Sequence, residues 1–390
     1  MLRSRLQSPL TLVYLGAVLT ICSLYAAQPI QPVFQHEFGL TGFQAVLFTT
    51  LMMLPLGFAP LAYGFILESF SAKRLLRGAI LCLALLELAF AMTNSYRWLL
   101  LIRGAQGLLI PAILTSLMSY VAYISPREKV QQAIAYYIGA TILGGFLGRF
   151  LSGLLTDLLG WRFFFAVLGV ALLGLFFLMD RLERDVNLNY SRPDLGALRR
   201  LLANPPLIWL YGAIFCVFYV FAAVMNFLPF ELKRLDPGFS ESGIGLFYLG
   251  YSMGLLAAAN AGRMIRFFGT EARAVQIGLM IFAGATLLLM IESQWLMGGT
   301  MFIFCFGMFM VHSILSGYVN RLVENNRGLG NGLYISCYYL GGTIGSFAPG
   351  IVFQYLGWRI FLASLLVMLA LASVLIMGMS RVIERNVDPG

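Results

Sequence analysis

Residues 125–165 read SPREKVQQAIAYYIGATILGGFLGRFLSGLLTDLLGWRFFF, and the chain writes this pattern twice. At a shift of 197 positions Trp161 falls on Trp358, and Gly144, Gly145, Gly148, Gly153 and Gly160 fall on Gly341, Gly342, Gly345, Gly350 and Gly357. Arg162 falls on Arg359, Phe164 on Phe361 and Tyr137 on Tyr334. With 5 tryptophans in 390 residues, a matched Trp inside a matched glycine series marks an internal repeat. A period this long means two structural halves rather than a solenoid of short units.

The composition places those halves in a membrane. The chain is 60% hydrophobic and 11% charged, with a mean hydropathy of +0.84, whereas soluble domains run near half apolar and about a quarter charged. The cysteines, at positions 22, 82, 216, 305 and 337, each lie inside an apolar run. That placement offers no disulfide framework and no metal motif, and no cofactor is expected. A membrane chain built from repeats has the organisation of a transporter.

Apolar runs cover about 9–32, 42–67, 74–94, 98–124, 131–156 and 161–180, then about 205–230, 243–263, 273–292, 295–319, 329–353 and 358–380. Each approaches or exceeds the roughly 20 residues that cross a bilayer as a helix, and helices are required because lipid offers the backbone no partners. Breaks fall at Pro126, Pro205–Pro206 and Pro237–Gly238. The reading is an all-α membrane protein of 12 transmembrane helices. A six-helix half (1–180) and a second (205–390) are joined by a linker (181–204). A signal peptide would look similar over the first residues, but this apolar run is too long for one and further spans follow directly.

With the N-terminus placed in the cytoplasm, inner segments carry 19 of the 26 Lys and Arg residues and outer loops 5, while Arg103 and Arg149 lie inside spans. This bias puts both termini in the cytoplasm. It also reads the net charge of +9 as a topology signal rather than as nucleic-acid binding. The linker mixes five arginines with three acids and reads as solvated chain along the inner leaflet.

Three motifs sharpen the reading. After span 2, residues 64–74 read GFILESFSAKR, with a weaker counterpart, GRMIRFFG, at 262–269. Span 4 contains LIRGAQG at 101–107, and span 5 is glycine-rich from Gly139 to Gly148. Together with six plus six spans, these resemble the major facilitator superfamily. The first resembles its G-x-L-x-D-R-x-G-R-R loop, with Glu68 for the Asp and Ser71 for the second Gly. Arg103 and Gln106 match the R-x-x-Q-G motif of the drug:proton antiporter and sugar-efflux-like branch. The span 5 glycines depart from that branch's Gly-Pro pair. The resemblance implies a gating loop of Gly64, Glu68, Lys73 and Arg74, where an ion pair would latch one state or simply anchor topology. The glycines of spans 5 and 11 would serve close helix packing, since small residues pack best in lipid.

Glu87 is the one acid read as deep within a span. Glu87 and Arg103 each lie eight residues from the turn at Ser95, so both sit roughly 12 Å below the outer surface; Arg149 lies at similar depth. A charge inside the bilayer costs on the order of 3 kcal/mol or more, so the three are expected to pair. Burial and neighbouring charge then act in opposite senses on the carboxylate. At the repeat shift Glu87 meets Gly284 or Ala285, Arg103 meets Thr300 and Arg149 meets Ser346. The second half lacks these charges, so function explains them better than folding does. The competing reading is a static ion pair that fixes helix register. On the functional reading Glu87, Arg103 and Arg149 couple protons, and Arg103→Ala stops transport while sparing the fold.

The resemblance also sets spans 1, 4, 7 and 10 around a central cavity. There Tyr25, Gln28, Arg103, Gln106, Asn226 and His312 would meet substrate, with Tyr248, Tyr251, Tyr334 and Tyr338 as further lining. A lone His is more often a hydrogen-bonded structural residue than a proton carrier. Pro29 and Pro32 break span 1 near its outer end, and Pro229 repeats Pro32, which suggests a kink in both halves.

The implied function is secondary active transport by alternating access: proton-coupled efflux of a small amphipathic organic solute from a bacterial-type inner membrane, by a monomer. The alternative is a proton-coupled importer or a sugar or organic-anion carrier of the same fold. No catalytic set of Ser, His and Asp appears, and no P-loop for ATP. Substrate and direction are not encoded in any motif. If the charge bias sets topology, a membrane-impermeant thiol reagent applied outside should label a single cysteine at Asn94 and spare one at Asn189; the reverse pattern would invert the orientation.

Overall fold

The computed structural model describes residues 9–66, 72–182, 195–323 and 327–387. No strand occurs among them. In chain order the helices are α1 (Pro9–Tyr25), α2 (Gln31–Phe38), α3 (Gly42–Ile66), α4 (Ala72–Met92), α5 (Tyr96–Ile124), α6 (Val130–Leu159), α7 (Trp161–Leu178), α8 (Leu195–Leu202), α9 (Pro205–Leu235), α10 (Glu241–Phe247), α11 (Met253–Phe268), α12 (Glu271–Leu288), α13 (Gln294–Leu322), α14 (Arg327–Phe347) and α15 (Gly350–Val387). Among the described residues 10 helical stretches are long and apolar enough to cross a membrane, α10 and α11 counting as one through the 3-10 turn at Tyr248–Ser252. Span 1, formed by α1 and α2, and α14 complete the twelve.

The chain divides into two compact units. The first comprises Met1–Leu40, Leu47–Arg192 and Gly238–Tyr248; the second comprises Thr41–Val46, Pro193–Pro237 and Leu249–Gly390. The segment Gly238–Tyr248 thus groups with the first unit, although the sequence reading gave it to the second half. Contacts along α6 account for this. A Cβ on Gly245 would come within 2.9 Å of the Phe150 Cα, and one on Gly153 would collide with the Glu241 carbonyl. Asp157 also accepts hydrogen bonds from the backbone N–H groups of Glu241 and Ser242, at 3.0 and 2.8 Å.

The repeat is visible as matched contacts. A Cβ on Gly144 would lie 2.6 Å from the Val18 carbonyl oxygen, and one on Gly148 would lie 2.6 Å from the Cys22 Cα. In the second unit Gly341 meets the Phe215 backbone and Gly345 meets Tyr219 in the same way. Phe215 and Tyr219 are Val18 and Cys22 shifted by 197. The glycines therefore let α6 touch the backbone of α1, and α14 that of α9. Apolar lipid supplies no hydrophobic drive between helices, so this close approach supplies the dispersion contact that holds them. The turns repeat as well. Gly160 and Gly357 both adopt left-handed φ, 84° and 77°, ahead of the matched tryptophans, a conformation that glycine adopts without strain.

Three features depart from expectation. The kink read at Pro32 and Pro229 is not shared. In the first unit span 1 stops at Tyr25 and restarts at Gln31, upstream of Pro32, whereas α9 runs unbroken through Pro229. Pro29 is the cause: it has no N–H for the Tyr25 carbonyl, and its repeat partner is Asn226, which continues the helix and donates its side-chain amide to the Ala222 carbonyl at 2.8 Å. Conversely, α6 runs unbroken past Ser152, while α14 ends before Pro349, the residue that replaces it. The linker, read as solvated chain, carries the short helix α8, with Ala197 buried and Arg199 and Arg200 exposed.

Because backbone faces the missing Cβ, Gly148→Ala and Gly345→Ala should each destabilise their unit by about 1–3 kcal/mol through overpacking. Gly284→Ala, where a Cβ would meet nothing within 4 Å, should be neutral. Thermal unfolding in detergent micelles would separate the two classes.

Candidate functional site

The break in span 1 builds the site. Helix α1 ends at Tyr25, and the carbonyls of a helix's last turn lack intrahelical donors. The Cys22 carbonyl accepts from the Ala26 N–H at 3.0 Å and the Tyr25 carbonyl from the Gln28 N–H at 3.1 Å. The Ser23 and Leu24 carbonyls accept from the Arg103 guanidinium instead. Nη1 and Nη2 each donate to the Ser23 oxygen at 3.3 Å, and Nη2 donates to the Leu24 oxygen at 3.4 Å. The other donors of Arg103 reach the Phe48 carbonyl at 2.9 Å and the Gln106 Oε1 at 2.9 Å. The rings of Phe90 and Phe165 lie 5.5 and 6.0 Å from its Cζ. A cation at a helix C-terminus also meets the negative end of the helix dipole favourably.

Glu87, on α4, is wholly buried. Its Oε1 accepts a hydrogen bond from the Ser23 hydroxyl. Its Oε2 carries no hydrogen bond, and neither does the Gln106 Nε2, which lies near the carboxylate outside hydrogen-bonding geometry. The expected Glu87–Arg103 ion pair is not formed: among the described residues Arg103 binds carbonyls and Gln106, and Ser23 stands between the two charges. The reason is the broken helix, whose carbonyls compete for the guanidinium. Arg149 does not complete a three-charge cluster either. On α6, it donates to the Gln28 Oε1 and to the Gly145 carbonyl, both at 2.7 Å, and its Cζ lies 4.0 Å from the Tyr25 ring and 5.0 Å from the Tyr248 ring. Two networks result, one on each side of the end of α1.

The second unit holds the other expected residues. Asn226 is buried in α9. His312, on α13, has its Nδ1 2.9 Å from the Tyr334 hydroxyl, which also lies 3.1 Å from the His312 carbonyl. Its ring sits 4.7 Å from that of Tyr338, which stacks on Phe218 at 3.6 Å. Tyr248, Tyr251, Tyr334 and Tyr338 are all buried. One buried acid escaped the sequence reading. Glu231 lies in α9 beyond the predicted end of span 7 and is as buried as Glu87. It differs in being paired, with Arg234 at 2.7 Å, which also meets Glu292 at 3.1 Å. In the first unit Glu37 is likewise paired, held by Arg162 at 2.7 Å and by the Trp161 Nε1 at 2.6 Å.

In the gating loop, Glu68 lies outside the described residues and Gly64 falls within α3. Lys73 donates to the carbonyls of Asp180 and Leu182, and Arg77 pairs with the Asp180 carboxylate at 2.5 Å. These contacts tie the start of α4 to the chain leaving α7, all within the first unit. Arg74 is exposed.

Comparison with known proteins places this geometry. Residues 13–325 match the model of the Major Facilitator Superfamily, and the chain belongs to that family. It is 26% identical over 360 residues to the inner membrane transport protein YnfM of Escherichia coli (strain K12), covering 90% of this chain and 86% of that one. It is 27% identical over 264 residues to a probable sugar efflux transporter of Haemophilus influenzae (strain PittGG), covering 67% and 66%. Among solved structures, a bacterial homolog of the human lysosomal transporter Spinster, inward-facing and occupied, aligns with a TM-score of 0.79 at 16% identity over 97% of both chains. The protein is accordingly a multi-pass membrane transporter, a secondary carrier of small molecules with the all-α fold of that family.

Arg103 emerges as a capping residue for span 1, which changes the expectation that its loss spares the fold. Arg103→Ala should lower the unfolding temperature as well as transport, since each buried carbonyl left unpaired costs about 1–3 kcal/mol. Arg103→Lys should recover only part of that loss, because a point-like ammonium cannot fork between the Phe48, Ser23 and Leu24 carbonyls. Thermal unfolding of both variants beside the parent would check this; unchanged midpoints would exclude the capping role.

Proposed function

We propose that this carrier exports a small organic solute in exchange for protons, and that Glu87 is the group that takes up and releases the proton. The observation that carries the reading is the state of Glu87: a fully buried carboxylate held by a single hydroxyl, with Oε2 open and no ion pair among the described residues. Glu231 gives the contrast, since its salt bridge to Arg234 holds its charge in place. A carboxylate can cycle between forms during transport only if neither form is locked, and intramembrane acids of this kind mark proton pathways. Arg103, fixed on backbone carbonyls, supplies a permanent positive charge beside it.

Solute contact is assigned to Tyr25, Gln28 and Arg149 beside the open turn of span 1, and to Gln106, Asn226 and His312. Discontinuous spans place binding groups near the bilayer midplane in carriers built from repeats. Export is favoured over import by the printed names of the Haemophilus relatives, and the same names favour a sugar as the second reading of the solute. The orientation proposed has both termini in the cytoplasm of a bacterial-type inner membrane. One chain contains both halves, so a monomer suffices.

The test is a screen of sugars and amphipathic drugs in proteoliposomes with an imposed pH gradient. The parent should accumulate its solute against a gradient. Glu87→Gln, which mimics the protonated acid at constant volume, should abolish uphill accumulation while retaining solute binding and exchange. Binding should vary with pH in the parent and flatten in the variant. Uphill transport retained by Glu87→Gln would remove Glu87 from the coupling role.

A further inference from the structure

Ser23 has no counterpart in any motif, yet it is the residue through which two of the buried charges of the first unit, Glu87 and Arg103, meet. Its hydroxyl donates to the Glu87 Oε1, and its carbonyl accepts from both terminal nitrogens of Arg103. The hydroxyl does not behave as a small polar group inside a helix usually does. Such groups bond back to the carbonyl a turn earlier. Thr20, one turn before on the same helix, does so to Gly16 at 2.7 Å, and Thr156 and Thr286 follow suit. The Ser23 hydroxyl instead crosses to α4. Its repeat partner is Val220, which has no hydroxyl, so the second unit packs the equivalent turn without this link.

We propose that Ser23 is a positioning residue that couples the protonation of Glu87 to the conformation of the open turn in span 1. The inference rests on Glu87 being the proton-coupling group. A proton arriving at Oε2, the oxygen without a hydrogen bond, turns Oε1 from an ionised into a neutral acceptor, and a hydrogen bond to a charged group is about twice as strong as a neutral one. The Ser23 hydroxyl is then held less firmly. At the same step Arg103 loses the negative charge beside it, while its hydrogen bonds end on the carbonyls of Ser23 and Leu24. Both changes fall on the last turn of α1. Two residues later Tyr25 lies against Arg149, and Gln28 accepts its Nε–H. The end of α1 is thus the path from the proton site to the solute site.

The surroundings leave few other groups to carry a pH response. Arg103 from α5 acts electrostatically on Glu87, and Glu87 in turn on the Cys22 thiol of α1. Arg149 from α6 acts on Cys22. From α7 the buried contribution to this core is Trp161, Phe164, Phe165, Leu168, Leu172 and Leu175, none of them ionisable near neutrality.

Hydrogen–deuterium exchange of the full-length carrier in micelles, at acid and at alkaline pH and corrected for intrinsic rates, tests this without a known solute. The readout is the amides from Leu24 to Gln31. The parent should show about a five- to tenfold change in protection between the two conditions, the difference between a charged and a neutral hydrogen bond. Ser23→Ala should lose that change, Ser23→Thr should restore it, and Glu87→Gln should show none. If Glu87→Gln abolishes the change while Ser23→Ala keeps it, the Ser23 link is wrong and the role of Glu87 stands. If Glu87→Gln keeps it, or the parent shows none, both fall. Should Ser23→Ala fail to fold while Ser23→Thr behaves as the parent does, Ser23→Cys, which keeps the volume but donates weakly, takes its place with the same expected loss.

Discussion

A helix that stops inside the hydrocarbon must find donors for its last carbonyls, because neither water nor lipid supplies them. Span 1 stops there because Pro29 lacks an N–H. The turn that follows answers for the Cys22 and Tyr25 carbonyls, and the Arg103 guanidinium answers for those of Ser23 and Leu24. The rest of the first unit is arranged around that repair. Arg103 must be buried to reach the break. Glu87 is beside it without being tied to it, since the carbonyls already occupy the guanidinium. The open turn in turn brings Tyr25 and Gln28 to Arg149.

The two units share a frame and differ where chemistry is required. Glycines at matched positions press α6 onto α1 and α14 onto α9, and matched left-handed glycines turn the chain before matched tryptophans. This frame depends on small residues and on backbone contact, and it survives duplication. Within it, Pro29 faces Asn226, Glu87 faces Gly284 or Ala285, Arg103 faces Thr300, and Ser23 faces Val220. The first unit carries the broken span and the charges together; the second carries an unbroken α9 and neither charge. That co-occurrence follows from electrostatics, since an open helix end attracts the cation that caps it.

Burial alone does not mark a working acid. Glu231 and Glu87 are equally removed from solvent. Glu231 lies against Arg234, which also binds Glu292, and in turn Arg359 meets Glu292 at 3.1 Å, so Glu231 sits at the end of a chain of three ion pairs. Glu87 has one hydroxyl and a free oxygen. An ion pair locks a carboxylate in its charged form, whereas a neutral donor permits either form.

Much of this protein was legible without coordinates. Twelve spans, the 197-residue repeat and the burial of Glu87, Arg103 and Arg149 follow from composition and position, because a bilayer imposes length and apolarity on any segment that crosses it. The packing role of Gly144 and Gly148 was legible for the same reason: small residues in lipid are there for contact. What only the tertiary structure decided is who meets whom. The sequence joined Glu87 to Arg103 because opposite charges at equal depth attract, but it could not rank a carboxylate against two carbonyls freed by a proline 74 positions away from Arg103. It read a break in span 1 at Pro29 and Pro32 but carried the kink over to Pro229, where the helix runs on, since a proline's effect depends on which carbonyl loses its donor and what replaces it. It passed over Ser23, which stands out only when its hydroxyl is seen to leave its own helix. Depth is a property of position along one helix, and sequence contains it. Partnership is set by the rotation of several helices about their axes, fixed by contacts distant in the chain, and therefore belongs to the fold.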